Sequence, residues 1–505
     1  MKKKLSILLS LLFLLPVVSS LGGCSAKTQV LRVYNWEEYI DEGGKGSYGD
    51  DYLGLGKNAP SMIDDFEIWY EETYGERIRV EYSTFGTNED LYNQLKLGDK
   101  YDLVCPSEYM IMKLAAEGML EPLDKDFFDE TNENNFYVNN VSPFIRNVFK
   151  NGEMNVPEEK EVDGKKVTEQ KTVLWEDYAA GYMWGTTGLV YNPEGVSEED
   201  LSQGWKIMLD SNFRKKVTTK DNVRDSYFVG LGIVYRDELL SLDKNADDYN
   251  ANVTDIFNRT DTETVKKVQD TLLAMKNNIF GFETDTGKSD MVKGTILLNF
   301  AWSGDAVYAM DEAENQDVYL NFHIPEEGAN LFFDGWVMPK GASKKEAQAF
   351  INFMSRPDNA VRNSYYIGYT SVIAGKEMFE YACDVYSAEN EEQSIPYDVS
   401  YFFGEEAIIY ADEEQLSRQL FAQYPPEDTM KRCAVMSYYG TQEERINELW
   451  TQVKGEKLDG WAIAVITVAI VVIALAILYW KLGRKIEFRL KPRKGYRLTD
   501  QKEIR

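Results

Sequence analysis

The chain carries one histidine and four cysteines in 505 residues. That scarcity removes whole classes of chemistry. A metal centre built from imidazole and thiolate has almost no ligands to draw on, so only oxygen-bound hard cations remain compatible with the composition. A Ser-His-Asp hydrolase would depend entirely on His323, which stands alone in a stretch that reads as a strand. There is no Gly-x-Ser-x-Gly elbow, no His-Glu-x-x-His pair and no Gly-rich phosphate loop followed by Lys-Ser/Thr. No resident cofactor is expected. Carboxylates are abundant, which leaves a carboxylate-pair hydrolase open, but no spacing places two of them across a scissile bond. Cys105 lies in an apolar run and reads as a packed thiol. Cys383 and Cys433 could pair, though sequence spacing cannot show that they come within bridging distance.

Positive charge is also in deficit, with 55 Lys and Arg against 84 Asp and Glu and a net charge of −29. What positive charge there is gathers at the ends. Lys2, Lys3 and Lys4 precede the apolar run Leu5–Val18, and Leu21-Gly22-Gly23-Cys24 follows. This order matches a lipoprotein signal, with cleavage before Cys24 and a lipid on its thiol. Near the other end, Trp461–Trp480 is apolar and uncharged over 20 residues, and the tail 481–505 holds ten Lys/Arg against three Asp/Glu. These features predict a helix through roughly 30 Å of hydrocarbon with the basic tail in the cytoplasm. The expected localisation is therefore the cell membrane, with an extracytoplasmic body anchored by both the Cys24 lipid and the C-terminal helix. Taking the +3 of Lys2–Lys4 and the +7 of the tail from −29 leaves that body at about −39. Such a body repels nucleic acid and draws cations.

The body, roughly 31–457, exceeds one ordinary core and alternates short β runs with helical stretches, so the fold class is α/β with two lobes. Expected strands are Leu31–Asn35, Arg77–Ser83, Leu103–Pro106, Gly188–Asn192, Ile296–Ala301 and Gly335–Pro339. Expected helices are Ser61–Tyr74, Asn88–Leu97, Tyr109–Glu117, Glu263–Asn277, Ala306–Glu312 and Lys344–Met354, the last with Ser343 and Glu346 spaced as a capping box. The charged run Asn151–Lys171 reads as a surface hairpin or mobile loop, and the Gly-rich run Asp41–Pro60 as a second insertion.

Several strands end in aromatic or small polar residues just before a helix. Tyr34-Asn35-Trp36-Glu37-Glu38-Tyr39 is the first, and Tyr101–Tyr109, containing Ser107, the second. Ile296–Ala301 runs into Trp302-Ser303-Gly304-Asp305, and Phe332-Phe333-Asp334 precedes Gly335–Pro339. Asp225 sits in a further turn of this kind. In α/β sheets ligands gather at the carboxyl ends of strands. Aromatic faces and carboxylates together suit a cation with methylenes between its charges.

In this order the segments resemble the bacterial spermidine/putrescine-binding proteins, the solute receptors of polyamine ABC transporters. The matching stretches are Tyr34–Tyr39, Tyr101–Tyr109 with Glu117-Gly118-Met119, Met183–Thr187, Trp302–Asp305, Phe332–Pro339, Ile351–Phe353 with Arg356-Pro357-Asp358, and Ile367-Gly368-Tyr369. They cover 31–372. The resemblance implies a two-lobed periplasmic-binding-protein (type II) fold that closes on its ligand by hinge motion. It implies lobe one from 31–141 and 305–369, and lobe two from 142–304 with 370–457. It also implies a polyamine ligand, ABC permease subunits as partners, a monomeric receptor and no enzymatic activity. Carried over residue by residue, Trp36, Tyr39, Tyr109, Trp302 and Phe332 are the expected walls. Asp225 and Asp334 are the expected holders of ammonium groups, Asp305 and Glu38 further acids, and Ser107 and Tyr369 hydroxyl donors. Phe332-Phe333 departs from the Trp of spermidine-preferring members, and Asn222 stands where some members carry an acid. With Asp305, these departures tilt the expectation toward putrescine. A same-fold receptor for an amino-acid derivative or a ferric ion is the alternative. A carboxylate-bearing solute would need an arginine, and no expected site position is one.

Overall fold

In this computed structural model residues 28–44, 59–162, 165–455, 467–473 and 475–477 are described. The N-terminal run with Cys24, most of the Asp41–Pro60 insertion, the tail, and Trp461–Trp480 apart from 467–473 and 475–477 lie outside them. Contacts divide the chain into two units at Trp450. Within the second, 467–473 and 475–477 are helical.

The first unit is built on a mixed sheet. Its strands are β1 (Gln29–Trp36), β2 (Ile78–Phe85), β3 (Leu103–Val104), β4 (Leu120–Glu121), β7 (Ala179–Tyr191), β8 (Val217–Lys220), β9 (Gly281–Glu283), β10 (Leu298–Trp302), β11 (Asn321–His323), β12 (Leu331–Pro339) and β13 (Thr370–Ser371), with β5 (Glu153–Val162) and β6 (Lys165–Leu174) forming a separate hairpin. The order is β2-β1-β3-β12-β7-β10-β8-β9. β1 pairs in parallel with both β2 and β3, so Leu31 and Val33 point into the core while Arg32 faces out.

β7 joins two halves of this sheet. From Ala179 to Thr186 it pairs with β12, and from Thr187 to Tyr191 it pairs with β10 and, beyond Gly188, also with β11. All thirteen of its residues are buried. A strand covered on both faces does not alternate, which is why only its end, Gly188–Asn192, was legible as a strand. The register between β7 and β12 shifts at Asp334/Gly335, where Met183 and Gly181 are the partners and Tyr182 is the extra residue. Such bulges re-aim side chains. Here the bulge sits beside a carboxylate expected at the site.

Helices cover the sheet. Met62–Tyr74 begins at a capping box of Ser61 and Asp64 and ends at Gly75 in the left-handed region. Asn88–Leu97 and Lys344–Met354 match their expected bounds. The capping box expected at Ser343 is not formed, and the Ser343 amide instead donates to Asp102 Oδ1 at 2.9 Å. Most of the run Asn151–Lys171 lies in the paired strands β5 and β6, as the hairpin expectation has it, while Asn151 ends the helix Pro143–Asn151. Cys383 and Cys433 are both free thiols, Cys433 buried and Cys383 partly so, which removes the possible bridge. His323 lies on β11 as expected, and burial pushes its imidazole down to about 4, so it is uncharged at neutral pH.

Candidate ligand-binding site

The ends of β1 and β3 converge on Asp334 of β12. The Tyr39 hydroxyl donates to Asp334 Oδ2 at 2.8 Å, and the Ser107 hydroxyl donates to Oδ1 at 2.7 Å. Ser107 is the N-cap of Glu108–Ala116, but its hydroxyl makes no capping bond and serves the carboxylate instead. Asn88, not foreseen from sequence, fixes this arrangement. Its side-chain nitrogen donates to Ser107 Oγ at 3.1 Å and Tyr109 Oη at 2.9 Å, while its oxygen accepts from the Ser107 amide. The bulged Tyr182 supports Tyr39 from behind, donating to its carbonyl at 2.6 Å and meeting its ring edge-on.

Burial raises the Asp334 carboxyl to about 6, against the lowering effect of its two hydroxyl donors. Among the described residues it is in no ion pair. Glu108 behind it is more extreme: burial lifts it to about 8, so it adds no full charge at neutral pH. The walls are aromatic. Tyr39 and Tyr369 meet edge to face with centroids 5.0 Å apart, Trp36 packs on Phe85 at 4.6 Å, and Phe332 is buried on β12. Glu38 is exposed in a left-handed turn (φ 53°) and is joined to this cluster by no hydrogen bond or ion pair among the described contacts.

The second group of acids stands at the ends of β8 and β10. Asp225, in the first turn of Val223–Val234, is buried and raised to about 7 by that burial, while Lys220 and a hydrogen bond from Trp302 pull it down. Asp305 lies in the first turn of Ser303–Glu314 and is not available in the same way. Its Oδ2 is 3.0 Å from Lys220 Nζ, its Oδ1 is 3.5 Å from Lys288 Nζ and accepts from the Tyr369 hydroxyl at 3.1 Å. Burial raises this carboxyl, but the two lysines outweigh it and hold it below the usual range. Neither lysine was read from the sequence. Arg224 also stands nearby, although no site position was expected to be an arginine. Its guanidinium lies between the rings of Tyr109 (4.3 Å), itself an expected wall, and Tyr439 (3.6 Å), and donates to the Ser437 carbonyl.

Gly304 makes the junction possible. A Cβ there would lie 2.3–2.5 Å from the Tyr369 ring. Gly304→Ala is expected to displace that ring from both Tyr39 and Asp305, costing about 1–3 kcal/mol in chemical denaturation.

Among the described residues no group of three His, Cys, Asp or Glu is arranged to hold a metal ion. Among the described residues the arrangement offers two buried acids outside any ion pair, Asp225 and Asp334, beside a third, Glu108, that burial keeps largely protonated at neutral pH, together with hydroxyls on Asp334 and aromatic faces.

The model of the bacterial extracellular solute-binding protein family matches residues 61–377. The putrescine-binding periplasmic protein PotF of Escherichia coli is 28% identical over 365 residues, covering 70% of this chain and 80% of that one. The spermidine/putrescine-binding periplasmic protein of Salmonella typhimurium is 25% identical over 358 residues, 70% of this chain and 81% of its own. Among solved structures, the PotD substrate-binding protein of Streptococcus pneumoniae, from a spermidine/putrescine ABC transporter, superposes with a TM-score of 0.52 at 25% identity, covering 85% of this chain and 99% of that one. A Listeria monocytogenes structure with a TM-score of 0.55 and 22% identity shares the fold. The two-lobed α/β periplasmic-binding-protein architecture is thus shared. The expected localisation is corrected. The relatives are named as periplasmic proteins, and among the described residues no helix is long and apolar enough to cross a membrane. These are the findings against the expected body held by a C-terminal spanning helix with a cytoplasmic tail.

Proposed function

Since the chain belongs to the bacterial extracellular solute-binding protein family, we propose that it is the receptor of a polyamine importer, binding putrescine, spermidine or both and delivering them to an ABC permease. The observation that carries this is Asp334. It is a buried carboxylate that accepts from two neutral hydroxyls, beside aromatic rings, and among the described residues no cation pairs with it. Leaving a carboxylate so placed is costly unless a cation arrives. An alkyl ammonium supplies the charge, and its methylenes supply the contact with the rings. Each ring face contributes about 0.5–2 kcal/mol to such a cation, and each charge-assisted hydrogen bond about 1.5–3 kcal/mol.

In this proposal Asp334 with Ser107 holds one ammonium and Asp225 the other. Trp36, Tyr39, Tyr109, Trp302, Phe332 and Tyr369 line the methylenes, and Glu38 is an acid at the rim. Asp225 and Asp334 are only 4% and 6% exposed, so entry requires the lobes to part about the crossing strands β7 and β12. For the lobes, 31–141 with 305–369 against 142–304 with 370–457 remains the proposed division. The pairing of β11 with the far end of β7 argues for moving the segment through His323 to the side of Lys220. One copy supplies every wall and pole, so the working state is proposed to be a monomer that breaks no bond.

Calorimetric titration of the purified protein with putrescine, cadaverine and spermidine tests the proposal. Micromolar or tighter binding of at least one is expected, and no heat from any below millimolar would overturn it. The pH dependence is a sharper check. Asp225 and Asp334 carry raised carboxyls at about 7 and about 6, and only their ionised forms hold an ammonium. Affinity should therefore be full near pH 8 and fall by about tenfold or more at pH 5.5. The ligand-free protein should behave oppositely. Between about pH 4 and 7 these two carboxyls hold protons in the folded state that they have released in the unfolded state, so their contribution to its stability declines as pH rises.

A further inference from the structure

Lys220 ends β8 and is 1% exposed. Its ammonium donates to Asp305 Oδ2 at 3.0 Å and to the Thr284 carbonyl at 2.9 Å, and lies 3.4 Å from Glu283 Oε1. It also stands 4.5 Å from the centroid of the Trp302 ring. Three oxygen acceptors and an aromatic face are the surroundings that the ammonium of a polyamine requires. A lysine side chain is itself an alkyl ammonium.

We propose that Lys220 is a built-in third ammonium that fills the Asp305 end of the site and so restricts the ligand to a diamine. This deepens the polyamine assignment and rests on it. The charge balance runs the same way. Asp305 and Glu283 are compensated by Lys220 and Lys288, with Lys288 Nζ also 2.7 Å from Asp285. Asp225 and Asp334 are in no ion pair among the described residues, and burial keeps Glu108 largely protonated, which leaves two carboxylates for two ammoniums. Burial lowers the Lys220 ammonium, but Asp305 and Glu283 outweigh that effect, so it keeps its proton at neutral pH. A triamine would bring a third ammonium to a position already holding one. Like charges there repel in a water-poor setting. A lysine at the end of a four-residue strand is ordinarily solvent-exposed, so the local sequence carries no sign of this role.

The test is titration of wild type, Lys220→Met and Lys220→Arg with putrescine, cadaverine and spermidine at pH 8. Wild type and Lys220→Arg should bind a diamine at least about tenfold more tightly than spermidine. Lys220→Met should reverse that preference, because Asp305 and Glu283 then face an empty ammonium position. Spermidine should also raise its melting temperature more than putrescine does. Should Lys220→Met not fold, Lys220→Met combined with Glu283→Gln removes one buried carboxylate with the lysine and carries the same expectation. Polyamine binding with an unchanged diamine-to-spermidine ratio in the Met variants would overturn the role of Lys220 alone. Failure of wild type to bind any of the three would overturn the polyamine assignment itself.

Discussion

Asp334→Ala is expected to weaken diamine binding at pH 8 by about a hundredfold or more, roughly 2.7 kcal/mol. The carboxylate is the buried acceptor of both the Tyr39 and Ser107 hydroxyls. Removing it takes away the charge proposed to face the ammonium and also leaves two donors without an acceptor. Truncating one partner of a buried charged pair costs about 2–5 kcal/mol, much of it from the charge left behind. Asp334→Asn separates the two contributions. The amide keeps one acceptor for a hydroxyl and loses only the charge, so a smaller loss of about tenfold is expected. The ligand-free proteins should order the other way. Burial raises the wild-type carboxyl to about 6, so at pH 8 the ionised form destabilises the empty protein. Asp334→Asn should therefore melt higher than wild type at pH 8 without ligand, and that advantage should shrink as pH falls below about 6 and be gone by about pH 4. Unchanged diamine affinity in Asp334→Asn, by calorimetry, would remove Asp334 from the site.

Much of this cluster was legible because its members sit at strand ends, where period-two runs stop at aromatics and acids. Tyr39, Ser107 and Asp334 are far apart in sequence, yet the parallel β1/β3 pairing and the antiparallel return of β12 bring them within hydrogen-bonding distance. What was not legible follows from physics that local patterns do not carry. β7 is buried on both faces, so Ala179–Thr187 shows no alternation. Asn88 reads as an ordinary first residue of a helix, and only the fold turns it toward Ser107 and Tyr109. Ser343 and Glu346 have capping-box spacing, but Asp102 competes for the Ser343 amide. Asp305 is an acid in the expected place, but two lysines from other elements already meet it. The number of acids was readable, whereas the number left for a ligand was set by tertiary partners.

The largest expected loss of stability lies behind the site, at Arg362 in the helix Pro357–Ile367. Its guanidinium bonds Asp41, which has no exposed surface, as well as Asp65 at 2.5 Å and the Pro60 carbonyl. One planar fork thus ties the segment after β1 to two separate helices. Arg362→Ala is expected to cost about 3–5 kcal/mol in urea unfolding, since it strips a buried carboxylate of its guanidinium partner. Lysine should rescue little, because a single ammonium cannot reach three acceptors in a fork geometry. The network also bears on binding. The neighbouring Asn363 accepts from the Asp41 amide at 2.9 Å and donates to the Tyr182 hydroxyl at 2.8 Å, and Tyr182 in turn holds the Tyr39 carbonyl. Tyr39 then presents its hydroxyl to Asp334. Arg362→Ala should accordingly lower diamine affinity less than Asp334→Ala does, and that loss should be recoverable by cooling toward the temperature of maximum stability. A variant that unfolds as wild type does in urea would show that Asp41 finds compensation elsewhere in the fold.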